Sequence, residues 1–510
     1  MTEPSATDRS ALHRHIVRGS IWIVGVRWSL RLMGLLNTVI LARILTPDDF
    51  GLVSIATLIA GFVEIFAQTG QNAALIRLPN PTKEHYDSAW TVSMLLGIVP
   101  GLVILALSPI ATAYFHEERA KPIVAILAFR SLVAGAQNVA ILNFRRNLQF
   151  DRQFWFSVMP AMLSLVTTII AALVLRNYWA LVIGLMVEQA AEFVLGYVME
   201  PFRPRISFAK VGEIWSFSIW TLFKNIGSYL DAIADRAAIG NFAGSAGMGR
   251  YYVAADLAIS PSKELVEPIT VPMFSVMALV QHDREKRRDL YLTLLYWSAL
   301  ICSSAAVGVA LVGDDAVDLV LGPQWQDAKP LIPWLALSYG VVGLSAAAFT
   351  ALETIGQPQT SARLEWLRLA VLAAAVFPTA YFFHDLQAVA AARFFATAGV
   401  APLLLIGVIK PFDLTSRDFL YVFWRPFVAG AVMAAAVSEM NLLIPFSGNL
   451  RLAADVSAGA TVYVGALMVL WHLSGRPAGP EDQLRRAGSR FLSPLQRRLL
   501  SYRRQDQQMD

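Results

Sequence analysis

The sequence predicts an all-α polytopic membrane protein: about 14 transmembrane helices, arranged as two six-helix lobes in parallel pseudo-repeat and a C-terminal helix pair. Three observations predict it. The chain is 56% hydrophobic and only 15% charged, with a mean hydropathy of +0.52, which would leave water-soluble domains short of polar surface. Nearly charge-free runs recur at the roughly 20 residues that a helix needs to cross about 30 Å of hydrocarbon. Basic residues cluster on alternate connections between those runs. A β-barrel is excluded, because its strands alternate apolar and polar over about 10 residues.

The spans are read between charged breaks. The first, 19–42, follows a polar stretch with Arg9, Arg14 and Arg18, which lacks the apolar core and small-residue cleavage site of a removable signal peptide. The second and third, 51–76 and 88–113, are parted by Arg77 and Lys83. The fourth to sixth, 122–143, 155–175 and 178–199, are parted by Arg145, Arg146 and Arg152, then by Arg176, and end before a proline-stiffened connection around Pro201 and Pro204. The seventh, 213–240, is the most polar. The eighth, 249–280, holds Pro261, Pro268 and Pro272, which predict an irregular helix. The remainder are 290–312, 329–352, 363–383, 386–409, 424–444 and 452–473.

Loop charge orients the map. One side carries 27 Lys and Arg and the other seven, so both termini are expected in the cytoplasm of a bacterial inner membrane. Placed this way, the net charge of +5 needs no nucleic acid to explain it. Single Cys302 forms no internal disulfide, and no Cys/His spacing resembles a metal site, so no cofactor is expected.

An internal repeat organises the spans. Ser20-Ile21-Trp22 recurs as Ser218-Ile219-Trp220, and Gly51 with Ile55-Ala56 falls opposite Gly249 with Val253-Ala254-Ala255, both at an offset of 198 residues. Six spans per repeat is even, so the halves share one topology. The expected divisions are 1–200 (spans one to six), 206–410 (seven to twelve), 411–473 (an added pair) and 474–510 (a basic tail).

The segment Leu41-Ala42-Arg43-Ile44-Leu45-Thr46-Pro47-Asp48-Asp49-Phe50-Gly51-Leu52-Val53-Ser54-Ile55-Ala56 reads physically as a helix start: Thr46 caps, Pro47 occupies the first turn, and Asp48 and Asp49 favour the positive end. It also resembles the polysaccharide-exporter branch of the multidrug/oligosaccharidyl-lipid/polysaccharide flippase superfamily, as does Gly70-Gln71-Asn72-Ala73-Ala74-Leu75-Ile76-Arg77. The resemblance implies a flippase, not an enzyme, for oligosaccharide on a polyprenyl pyrophosphate carrier held in membrane lipid. It implies separate glycosyltransferases and a polymerase as partners in exopolysaccharide or lipopolysaccharide biosynthesis. A membrane polymerase or ligase would carry a large outer loop, whereas the longest here is 313–328. A cation-coupled multidrug or metabolite exporter of the same superfamily is the alternative.

Charges within spans are the candidate site residues, since a cation at the bilayer centre costs about 2.5–3.5 kcal/mol without a partner or wet cavity. Arg27 and Arg31 share one face of the first span and suit a pyrophosphate, or they snorkel or pair with a carboxylate such as Glu64. Lys224, Ser228, Asp231 and Asp235 form a stripe on the seventh span. That stripe places Lys224 on substrate and Asp231 or Asp235 on a coupling H+ or Na+, or else the charges neutralise each other. Glu64, and the pair Glu188 and Glu192 on the sixth span, are further coupling candidates, with interhelical hydrogen bonding the alternative for the pair. Arg130 with Gln137 and Asn138, Arg368 near Glu365, and Arg393 are open in role.

Overall fold

In the structure, a computed structural model, the described residues are 6–64, 75, 78, 81–147, 149–214, 219–280, 283–443, 448–477, 479–482 and 485. Among them, helices of 16 residues or more follow one another as α1 (Ala6–Ile44), α2 (Pro47–Glu64), α3 (Lys83–Tyr114), α4 (Ala120–Gly135), α5 (Phe150–Leu175), α6 (Trp179–Met199) and α7 (Ile219–Ile239). They continue as α8 (Gly244–Leu279), α9 (Arg284–Ala316), α10 (Ile332–Thr354), α11 (Pro358–Phe383), α12 (Leu386–Ile409), α13 (Ser416–Leu443) and α14 (Asn449–Leu473). Each predicted span has its helix, and no strand occurs among the described residues.

Nine of these helices are long and apolar enough to cross a membrane, and the bent pair Ala120–Gly135 plus Val139–Arg146 makes a tenth. The four outside that group are α1, α2, α7 and α8, which the 198-residue repeat pairs as α1 with α7 and α2 with α8. Bulky apolar side chains such as Leu102, Ile110, Ile170 and Val174 stand exposed on α3 and α5. In water they would be a liability, whereas lipid is as apolar as they are. The chain is a multi-pass membrane protein.

Two elements depart from the sequence reading. The fourth span bends by 61° between Gly135 and Val139 with no proline to cause it. Asn138 takes an extended backbone there, accepts from Ala140 N–H and donates through Nδ2 to the carbonyls of Gly196 and Glu200, each at 2.8 Å. Conversely, α8 runs unbroken through all three of its prolines. Each proline removes only one N–H, which in a membrane helix neighbouring groups compensate.

The chain divides into two compact units. One comprises 1–256, 317–331 and 358–396. Within it α3 crosses α4 where Gly97 meets Gly135, and a Cβ on either would lie 2.7 Å from the other's Cα. Close backbone approach at small residues is how membrane helices gain packing energy without a hydrophobic driving force. Trp366 of α11 stacks on Phe223 of α7 at 4.5 Å and donates to its carbonyl. The other unit comprises 257–316, 332–357 and 397–510. There α13 and α14 pack through Ala429, Met433, Val437, Tyr463 and Leu467, with the Tyr463 hydroxyl donating to Leu300 O of α9. The start of the tail is tucked in. Glu481 is fully buried against Arg425 of α13 and the Tyr296 hydroxyl of α9.

Candidate functional site

The polar face of α7 carries a closed ionic cluster. Arg368 of α11 chelates Asp231 through Nε and Nη2, both at 3.1 Å, and Nη2 also donates to Glu365 at 2.7 Å. Arg393 of α12 lies 3.0 Å from the Asp235 carboxylate and donates to the Asp231 carbonyl at 3.3 Å, and the Tyr251 hydroxyl of α8 donates to Asp235 at 2.7 Å. Lys224 acts electrostatically on Glu365, to which Ser228 is hydrogen-bonded. Asp231, Asp235, Glu365, Arg368 and Arg393 are each at most 6% exposed. Three cations face three carboxylates, so the cluster is neutral as a whole. The Asp stripe of α7 is therefore matched by guanidinium groups from α11 and α12, and Lys224 meets Glu365 instead.

On α1, Arg27 and Arg31 are half-buried. Arg31 Nη1 is 3.9 Å from Asp256 of α8, while its Nη2 is buried and makes no hydrogen bond among the described residues. Glu64 ends α2, and its side chain lies outside the described residues.

Where α2 and α8 begin, the repeat becomes a physical contact. A Cβ on Gly51 would fall 1.6 Å from Ser245 O, and one on Gly249 would fall 1.8 Å from Pro47 O. Gly51 and Gly249, and likewise Pro47 and Ser245, are 198 residues apart, so equivalent positions touch reciprocally, as a two-fold relation requires. Only glycine permits this crossing. The predicted cap is present: Thr46 N–H donates to Asp49 Oδ2 at 3.0 Å and Asp49 N–H to Thr46 Oγ1 at 3.3 Å. Asp48 is thereby turned toward Ser245 Oγ, which donates to it, and toward Arg119, which donates to both its oxygens at 2.8 and 3.1 Å. Glu117 takes the rest of the Arg119 fork. The Arg119 guanidinium holds the Asp48 carboxyl below the usual carboxylate range. By sequence alone Arg119 is one of the seven basic residues counted on the less basic side. The repeat offset, extended from Gly51 back to Pro47, was the signal that could have found this crossing.

At the junction of α1 and α2 the connection 317–331 closes over the chain. Buried Trp325 donates to Ala42 O at 2.9 Å and meets Phe50 edge to face, and Arg43 donates to the carbonyls of Leu319 and Val320.

The bend in α4 opens onto a cavity of about 500 Å³ among α3, α4, α5 and α6. Glu192 lines it and accepts from Gln137 Nε2 at 3.0 Å. Glu188, on the same face of α6, is close enough to Arg130 and Glu192 to feel both charges. Among the described residues no group of three or more His, Cys, Asp or Glu is arranged to hold a metal.

The fold is that of the multidrug/oligosaccharidyl-lipid/polysaccharide transporters. A solved structure of the lipid II flippase MurJ in an inward closed conformation superposes with a TM-score of 0.72 at 13% identity, covering 89% of this chain and 99% of that one. An inward-facing multidrug-resistance MATE family transporter superposes at 0.58 with 15% identity, covering 77% and 99%. Residues 40–330 match the family described as polysaccharide biosynthesis protein, and the chain belongs to it. Among its relatives, the succinoglycan biosynthesis transport protein ExoT of Rhizobium meliloti (strain 1021) is 24% identical over 84% of this chain and 88% of its own. The lipopolysaccharide biosynthesis protein WzxC of Escherichia coli (strain K12) is 25% identical over 66% and 68%. Family and fold are those of transporters and flippases rather than of enzymes.

Proposed function

We propose that the chain flips polyprenyl-pyrophosphate-linked oligosaccharide repeat units across the bacterial inner membrane for exopolysaccharide or lipopolysaccharide biosynthesis, by alternating access. The observation that carries this reading is the crossing of α2 and α8. Helices α2 and α8 are repeat mates, and they meet glycine on glycine at one end, as a closed gate between the two repeat halves would. The loop-charge count supports an orientation with that end outside and both termini in the cytoplasm.

In this reading the carrier's tail stays in membrane lipid and its pyrophosphate is met by Arg27, Arg31 and Lys224. The Arg31 Nη2 left without a hydrogen bond supports an anion there. A coupling H+ or Na+ at Asp231 or Asp235 would act by releasing Arg368 or Arg393 from a bonded carboxylate, and so by loosening α7 from α11 and α12. Glu64, Glu188 and Glu192 are the remaining coupling candidates. Glycosyltransferases would supply the substrate and a polymerase would consume it.

The test is to lock the gate. With buried Cys302 replaced by Ala, the pair Asp48→Cys and Ser245→Cys is oxidised in proteoliposomes. Cross-linking should arrest flipping, and reduction should restore it. Flipping at the native rate by fully cross-linked protein would refute the gate.

A further inference from the structure

We propose that the cavity at the bend of α4 is a glycan subsite that takes one or two uncharged sugar units of the substrate; this rests on the flippase reading above. Non-helical backbone at membrane depth is tolerated only where it is buried in protein or lines a water-filled cavity, and broken helices in transporters mark binding sites. The 61° break between Gly135 and Val139 forms part of the wall of this cavity. Its volume, about 500 Å³, falls within the roughly 300–1,000 Å³ usual for ligand sites.

The lining decides which ligand. Gln189 is 4% exposed, lines the cavity, and its amide nitrogen finds no hydrogen-bond acceptor among the described residues. Leaving such a donor buried and unsatisfied costs about 1–3 kcal/mol, so the position calls for an acceptor brought from outside the chain. Glu192 offers the complementary acceptor, already oriented by Gln137. Donors and acceptors side by side match sugar hydroxyls, which both give and take hydrogen bonds. Phe156 adds an aromatic surface for the apolar face of a sugar ring. Charge argues against the carrier's pyrophosphate. Arg130 and Arg145 in the wall are offset in part by Glu192, and Arg130 further by Glu188 beside the cavity, so the wall is less cationic than the trio Arg27, Arg31 and Lys224 assigned to the pyrophosphate. The same wall disfavours a lone cation.

The test measures binding directly, on the purified full-length chain in lipid nanodiscs, by saturation-transfer NMR with cellobiose and lactose as neutral probes and inorganic pyrophosphate as competitor. The proposal expects saturable binding of at least one disaccharide, weakened at least five-fold by Gln189→Leu and by Glu192→Gln, and not displaced by pyrophosphate. Glu192→Gln keeps the shape of the side chain, so it remains informative where Gln189→Leu fails to fold. No saturable disaccharide binding, binding indifferent to both cavity variants, or displacement by pyrophosphate would each overturn the subsite. Flipping of a lipid-linked oligosaccharide is measured separately in proteoliposomes: its absence in the native protein sinks the flippase reading, whereas cavity-dependent sugar binding is read without it.

Discussion

The α7 cluster and the α4 cavity both place charged groups within predicted membrane spans, yet they solve the problem in opposite ways. At α7 the chain supplies the counter-charges, and Asp231 and Asp235 are paired with Arg368 and Arg393 within a buried set whose formal charges cancel. At α4 the chain leaves room and at least one unsatisfied donor, Gln189. A charge inside a span therefore does not by itself mark a substrate site. What matters is whether the protein has already answered it. A closed cluster stabilises and resists change, because breaking a buried pair leaves a bare charge, whereas an open cavity exchanges its partners with solvent or ligand.

Substitutions should separate the two. Arg393→Met leaves Asp235 with neutral donors, the Tyr251 hydroxyl and the Arg236 N–H, and should cost about 3–5 kcal/mol, seen as a large fall in the unfolding temperature of the detergent-solubilised protein. A fall no greater than that of a surface variant would mean the cluster is not closed. Arg425→Met in the other unit should cost a comparable or somewhat smaller amount, since it strands Glu481 with the Tyr296 hydroxyl as its remaining partner. Gly51→Ala should act differently again. The added methyl collides with backbone rather than with a flexible side chain, so flipping should fall at least ten-fold while expression persists, and native transport would show that the α2–α8 crossing is not used.

Glu192→Gln lies at the gentle end for stability. The cavity is roomy, so the unfolding temperature should move by less than about 2 °C, and a collapse of the fold would place Glu192 in the closed class instead. The smallest expected effect is that of pH on the Asp48 latch. Because Arg119 depresses the Asp48 pKa, the latch contributes fully above the unfolded value of about 4 and is lost only as pH falls below it. Hydrogen exchange at the start of α8 should accordingly be flat from pH 7 to about 5 after correction for intrinsic rates, and accelerate only in stronger acid.

Much of this architecture was legible in the residues. Span length, charged breaks and the 198-residue offset are local or periodic signals, and each predicted span has its helix. The stripe of α7 was equally visible, because Lys224, Asp231 and Asp235 sit one helical turn or two apart. Their partners were not, since Arg368 and Arg393 stand 137 and 162 residues from Asp231 and only tertiary packing selects them. The bend of α4 was hidden for a related reason. Asn138 makes it by reaching Gly196 and Glu200 at the end of α6, while the prolines of α8, the obvious local breakers, bend nothing enough to end that helix.

The central claim is best tested by translocation of a fluorescent polyprenyl-pyrophosphate oligosaccharide in proteoliposomes, comparing the native chain with the Arg27→Ala/Arg31→Ala pair. The account predicts flipping by the native protein and its loss, by ten-fold or more, in the pair at equal insertion. No flipping by folded, inserted native protein under any imposed ion gradient would contradict the flippase reading, and flipping unaffected by the pair would remove the arginines from the carrier's path.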